Sequence, residues 1–361
     1  MYNNNYEPPG GGQPYIPPPP YYYPPDLVTP EEKRSIRKNY NSIGITLLVL
    51  YIVILVSCTI GFIVCEQMGS EVQYDEDGFR IVGTAEMIVS GGFPALSAMI
   101  VFAGYCAFAK YDPKELFSTS RIKAGEVIKY VLIVLFLQQV SFICSLLMMS
   151  SMYSIGLEVP GLNFVIAHDP GTYAADVISA VILAPIGEEL IYRGVVLRCA
   201  SKVSGRFAIF FSALMFGIMH GNPYQMVLGF LLGIPLAMIT LKTGSIIPAI
   251  ICHMANNLTN SITTIVEYFD EDTAYVLNII EIPVFFIIGV VALIIAVMNG
   301  EMKLPPYSDY HRKRTLPIMI TSWSMILITV IYIFDVISSI APVETPEQGA
   351  LTEAARMLFL K

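Results

Sequence analysis

Apolar windows of about 20 residues, separated by short polar breaks, recur from Ser42 to Ile340 and constrain this chain more than any other feature. A window of that length is what an α-helix needs to cross a bilayer. No water reaches the hydrocarbon core, so every backbone N–H and C=O must be bonded within the segment. The windows fall at roughly 42–65, 86–109, 126–152, 172–197, 207–221, 224–241, 246–266, 275–298 and 316–340. Composition agrees: 55% of residues are hydrophobic, 14% are charged and the mean hydropathy is +0.62, whereas an average soluble domain is about 25% charged. The expectation is one all-α, polytopic transmembrane bundle of about eight to nine helices over residues 42–340. A net charge of −8 gives no reason to expect a nucleic-acid partner.

The ends and loops set an orientation. Residues 1–25, "MYNNNYEPPGGGQPYIPPPPYYYPP", lack an apolar h-region and do not read as a signal peptide. Their proline density favours disorder or polyproline II, so residues 1–40 are expected to be a disordered cytoplasmic tail of bacterial cast, ending in the basic Lys33, Arg34, Arg37 and Lys38. Lys and Arg beside a span stay in the cytoplasm. Alternation then holds at each loop. "EQMGSEVQYDEDGFRIVGT", residues 153–171 and "EYFDEDT" carry at most one basic residue each, whereas "KYDPKELFSTSRIKAGE", "RCASKVSGR" and "MKLPPYSDYHRKRTLP" carry several. The N-terminus is placed in the cytoplasm, and the C-terminal tail, 341–361, outside the cell membrane. All six cysteines lie in or beside apolar windows without ligand spacing and read as buried apolar thiols.

Three charges stand inside the fourth window, in "LAPIGEELIYRGVVL". Each costs about 2.5–3.5 kcal/mol near the middle of a span, so they must face a protein interior or a water-filled cavity. Glu189 and Arg193 stand at i and i+4 with the acid first, the favourable order for an ion pair. Glu188 points about 100° away and is left as a free carboxyl. The bland alternative is that all three are a packing network between helices. His220 in "FSALMFGIMHGNP" and His253 in "IIPAIICHMANNLTN" are two intramembrane histidines, with Asn257 one turn beyond His253 and Phe216 one turn before His220. Polar groups in lipid are tolerated when they meet one another. The simplest solution is one polar intramembrane cavity holding Glu188, His220, His253 and Asn257.

"EELIYR", "FGIMH" and "HMANN" together resemble the EExxxR, FxxxH and HxxxN motifs of the CPBP family, the CAAX-protease and bacteriocin-processing (Abi-type) intramembrane endopeptidases, over a core of about residues 172–266. The resemblance implies hydrolysis of a peptide bond in a membrane-associated or prenylated, CAAX-like peptide or protein. It implies Glu188 and His220 as the groups that activate water, His253 and Asn257 as oxyanion donors, and Glu189, Arg193 and Phe216 in support. No cofactor is expected. The alternative is a zinc protease holding its metal on Glu188, His220 and His253, since two His and a carboxylate are a familiar catalytic set. A different class, an ion- or proton-coupled transporter, would use the same polar groups as a relay, extended by Asp176, Gln138, Gln139, Glu281 and Asp335. Such a protein is expected to carry repeated halves, and none is visible. The partners expected are membrane lipid and the substrate chain.

Overall fold

The computed structural model describes residues 29–68, 73–74, 80–159, 164–167, 169–202, 204–305 and 309–342. The Pro/Tyr-rich tract and the C-terminal tail beyond 342 lie outside the described residues. Helices dominate: α1 Pro30–Gln67, α2 Thr84–Ala109, α3 Ala124–Ser154, α4 over residues 170–201, α5 Gly205–Ile218, α6 Pro223–Thr243, α7 Ile247–Phe269, α8 Glu271–Met298, α9 Asp309–Ile320 and α10 Trp323–Ser338. Five of them (α1, α2, α3, α6 and α8) are long and apolar enough to cross a membrane, and α5 and α10 are shorter apolar helices. The chain is a multi-pass, all-α membrane protein.

Helix ends follow local chemistry. The basic juxtamembrane segment is the first turns of α1 itself: Thr29 accepts from the Glu32 amide and Pro30 takes the first helical position. Pro248 sits in the first turn of α7 and breaks nothing. The ninth apolar window is divided, since α9 ends at Ile320 and α10 starts at Trp323. Of the cysteines expected to be buried, Cys106, Cys199 and Cys252 are, but Cys58 and Cys65 are half-buried and Cys144 is exposed on α3.

Five short strands were not foreseen, because two or three residues carry no readable alternation. They are β1 Gln73–Tyr74, β2 Arg80–Val82, β3 Leu157–Glu158, β4 Phe164–Ile166 and β5 Ala341–Pro342. β2 pairs antiparallel with β1 and parallel with β4, aligning Arg80 with Phe164; β3 pairs antiparallel with β5, aligning Leu157 with Pro342. These ladders gather the α1–α2 connection, the α3–α4 connection and the end of α10 on one face of the bundle. Contacts on the other face join the connections at the opposite ends of the helices. Arg198 Nη2 donates to Glu115 at 3.0 Å, the Ile246 amide to Leu116 O at 2.9 Å, Arg206 Nε to Pro305 O at 3.0 Å, and Arg37 Nη2 to Thr321 at 3.1 Å.

The core is built where α4, α5 and α6 meet α1, with Tyr40, Leu47, Tyr192, Val195, Phe211, Met215, Leu236 and Ile239 buried. Small residues let α5 and α6 touch backbone to backbone. A Cβ at Gly217 would lie 2.6 Å from Met226 O, and one at Gly233 would lie 2.7 Å from Ala213 Cα. Such close approach is how helices associate in lipid, where apolar burial alone gives no drive.

Candidate active site

α4 carries the acid groups, and its winding is irregular around them. π-helical turns at Val177–Leu183 and Tyr192–Leu197 flank an α-helical segment, Ala184–Ile191, that begins with Pro185 in its first turn. The cause of one consequence is local. The Ala184 amide bonds Ser179 O, five residues back, so the next carbonyl, Ala180 O, would meet the nitrogen of Pro185, which has no hydrogen. Asn257 Nδ2 donates to Ala180 O instead, at 2.7 Å. Ser212 Oγ serves the second π turn likewise, donating to Tyr192 O at 2.9 Å. π turns of this kind concentrate at functional sites.

Glu189 and Arg193 form the pair their spacing implies. Arg193 Nη1 donates to Glu189 Oε1 at 2.7 Å, and both side chains are fully buried. Arg193 Nη2 reaches Gly233 O at 3.3 Å, and its guanidinium lies 4.6 Å from the centre of the Phe216 ring. The same Glu189 oxygen lies 3.1 Å from His253 Nδ1, a contact that spacing could not reveal because it depends on how α7 docks on α4. Since the carboxylate accepts, Nδ1 of His253 carries a hydrogen. Its Nε2 lies 3.7 Å from Glu188 Oε2. His253 can therefore donate from Nε2 only as the imidazolium, in which state it stands between two carboxylates.

His220 lies just beyond α5 rather than within it, in the turn closed by Gly221, whose φ of +68° suits glycine, and by the Asn222 cap of α6. Its Nδ1 lies 2.9 Å from Phe216 O, so that nitrogen donates, and the neutral ring leaves Nε2 as an acceptor. Phe216 sets both imidazoles: its ring meets His220 edge to face at 5.2 Å and His253 at 5.5 Å. Glu188, His220, His253 and Asn257 all line one cavity of about 530 Å³. Glu188 keeps 23% of its side chain accessible there, whereas Glu189 keeps none. No hydrogen bond joins Glu188 to His220 among the described residues; the two share the cavity wall.

Further groups belong to the site that sequence reasoning left out. Asn256 Nδ2 donates to Asn257 Oδ1 at 3.0 Å and fixes that amide, and Ser261 Oγ donates to Asp176 at 2.6 Å on the cavity wall. The signal for Asn256 was its place beside Asn257; for Ser261 there was none. Asp176, Ala180, Ala184 and Glu188 recur every fourth residue along one stripe of α4, with the two alanines leaving the space. The lining residues Met87, Ser90, Asp176, Gln225 and Thr264 lie toward the starts of α2, α4 and α6 and the end of α7, so that the cavity extends toward the strand-bearing face.

Among the described residues no three His, Cys, Asp or Glu side chains converge as metal ligands. Each histidine has Nδ1 committed, His220 to a carbonyl and His253 to Glu189, which leaves Nε2 of each ring as the atom free to act.

A carboxylate and two imidazoles thus meet in one cavity of a membrane bundle, the groups that a water-activating site needs. Residues 170–259 match the family profile described as type II CAAX prenyl endopeptidase Rce1-like, a segment that runs from the first turn of α4 into α7. It contains all seven of Glu188, Glu189, Arg193, Phe216, His220, His253 and Asn257. This core is similar to the CAAX-protease (CPBP) family of intramembrane endopeptidases, and the match does not extend to the rest of the chain. No curated protein and no solved structure matches the chain.

Proposed function

We propose that the protein cleaves a membrane-associated peptide or protein with a water activated by Glu188 and His220. The observation that carries this reading is the contrast between two adjacent carboxylates: Glu189 is sealed in an ion pair, and Glu188 opens on a cavity with both imidazoles. Nε2 of His220 accepts a hydrogen bond from the water and orients it. Glu188 takes the water proton as the oxygen attacks the peptide carbonyl. The oxyanion accepts hydrogen bonds from Nε2–H of the His253 imidazolium and from the Asn257 N–H not used on Ala180. Collapse breaks the C–N bond, and the amine leaves with the proton held by Glu188, giving a carboxylic acid and an amine. Arg193 holds Glu189 in place, and Glu189 in turn orients His253. This scheme routes no step through a metal.

The direction of the opening narrows the substrate. With the Lys/Arg-bearing loops in the cytoplasm, the end of the cavity lined by Asp176, Gln225 and Thr264 lies toward the outer side, the side of the strands, and we place its mouth there. A chain whose scissile bond lies in the outer half of the membrane fits this access better than a prenylated chain presented from the cytoplasm. The test is purified protein in detergent against a library of membrane-associated peptides. Cleavage is expected, unaffected by a strong chelator, and Asn257→Ala should lower kcat by about 10²–10³ with little change in KM, since an oxyanion exists only in the transition state. About one tightly bound zinc per chain, required for turnover, would overturn the metal-free chemistry. Failure to cleave any peptide, with Glu188→Gln and His220→Ala indistinguishable from the parent in cells, would leave the relay of a transporter as the better reading.

A further inference from the structure

A second chamber of about 600 Å³ lies between α3, α7 and α8. It borders the catalytic cavity, and Gln225, Leu228, Asn260 and Thr264 line both. Its remaining wall includes Gln138, Gln139, Ser141, Asn278 and Glu281. Within a membrane bundle, such residues persist where they meet one another, water or a ligand. Gln138 is accounted for, donating to Asn260 Oδ1 at 2.7 Å and accepting from Thr259 Oγ1 at 3.2 Å. Gln139 and Ser141 are not. They are only 5% and 2% exposed, yet neither has a hydrogen-bond partner among the described residues, and both line the chamber. Glu281 is the sole carboxylate of this wall, and no Lys, Arg or His pairs with it among the described residues.

We propose that the chamber is the subsite for the polar flank of the substrate, binding its backbone through Gln139 and Ser141 and placing a basic side chain against Glu281. The proposal rests on the protease reading. Its chemistry follows from the wall. Amide and hydroxyl side chains both donate and accept, which is the complement of an extended backbone that alternates N–H and C=O. A cation site would gather several carboxylates, and here there is one. A chain held with its carbonyl beside Glu188 and His220 has this chamber as the polar continuation of its path. A lone, half-buried carboxylate at the end of that path favours a positive group and repels a negative one.

The experiment compares matched fluorogenic peptides that carry Lys, Gln or Glu at each position within four residues of the scissile bond. On one side of that bond, the Lys peptide should exceed the Gln peptide by about tenfold in kcat/KM, a difference of about 1.4 kcal/mol, with the Glu peptide poorest. In Glu281→Gln the Lys-to-Gln ratio should fall to about one, and Glu281→Lys should invert the order in favour of the Glu peptide. These are ratios within one preparation, so a loss of folded protein does not mimic them. A ratio near one at every position in the parent, or a preference that survives Glu281→Gln, overturns the proposal. If the parent cleaves none of the peptides, the protease reading fails, and fluorescence anisotropy of the same peptides judges the chamber separately. Tighter binding of the Lys peptide that is lost in Glu281→Gln supports the subsite; equal binding refutes it.

Discussion

Glu188 and Glu189 are covalent neighbours with opposite surroundings, and the difference is measurable. Glu189 accepts from Arg193 and His253 in a fully buried position, so Glu189→Gln or Arg193→Leu leaves an uncompensated charge in a medium that cannot solvate it. Breaking a buried pair by removing one partner costs about 3–5 kcal/mol. Thermal unfolding in detergent should register that loss for both variants. Glu188→Gln should unfold with the parent and fail to cleave. Equal destabilisation by all three would return Glu188 to a packing role. Spacing alone made part of this legible, because an i, i+4 acid and base on a helix face each other whatever the tertiary structure does. It could not reveal that His253 closes the network from 64 residues away, nor that its Nδ1 is thereby committed. Those facts depend on how α7 rotates against α4, which no local pattern encodes.

Helices as elements were the readable part, since each bilayer crossing needs its own apolar run, and eight of the nine windows correspond one to one with α1 to α8. The winding inside them was not. Pro185 is visible in the fourth window, but its effect, a carbonyl at Ala180 that only Asn257 satisfies, emerges once two helices are in place. The site therefore couples the Asn257 amide to the shape of the helix that carries the acids. Packing of α5 on α6 positions the other half. A Cβ added at Gly229 would lie 2.9 Å from Gly217 Cα and 3.3 Å from Nδ1 of His220. Gly229→Ala should push α6 off α5 and tilt the imidazole, costing about 1–3 kcal/mol in stability and lowering kcat. Gly125→Ala in the first turn of α3 is the control, with nothing within 4 Å of the added Cβ. It should be neutral or raise stability by up to about 1 kcal/mol. A Gly229→Ala protein as stable and active as Gly125→Ala would mean that the helix contact does not hold His220 in place.

At the scale of the whole molecule, sidedness decides what the site can reach. Loop charges give one orientation, and the strand ladders give an independent constraint that uses no charge at all. β2 with β4 and β3 with β5 require the α1–α2 connection, the α3–α4 connection and the end of α10 to share a face. The contacts of Arg198 with Glu115 and of Arg206 with Pro305 tie the basic connections together on the other. Alternation is thus built into the bundle, and only its absolute direction rests on the positive-inside rule. Reporter fusions after Lys361 and within residues 267–273 should both read as external, with one in the α2–α3 connection, residues 111–122, reading as cytoplasmic. If the first two reporters lie on opposite sides, the number of crossings is wrong. If all three invert together, the bundle stands but the cavity mouth opens to the cytoplasm. In that case a prenylated chain at the inner leaflet becomes the fitting substrate, and an exported or outer-leaflet peptide, the substrate class favoured by the present orientation, becomes inaccessible to Glu188.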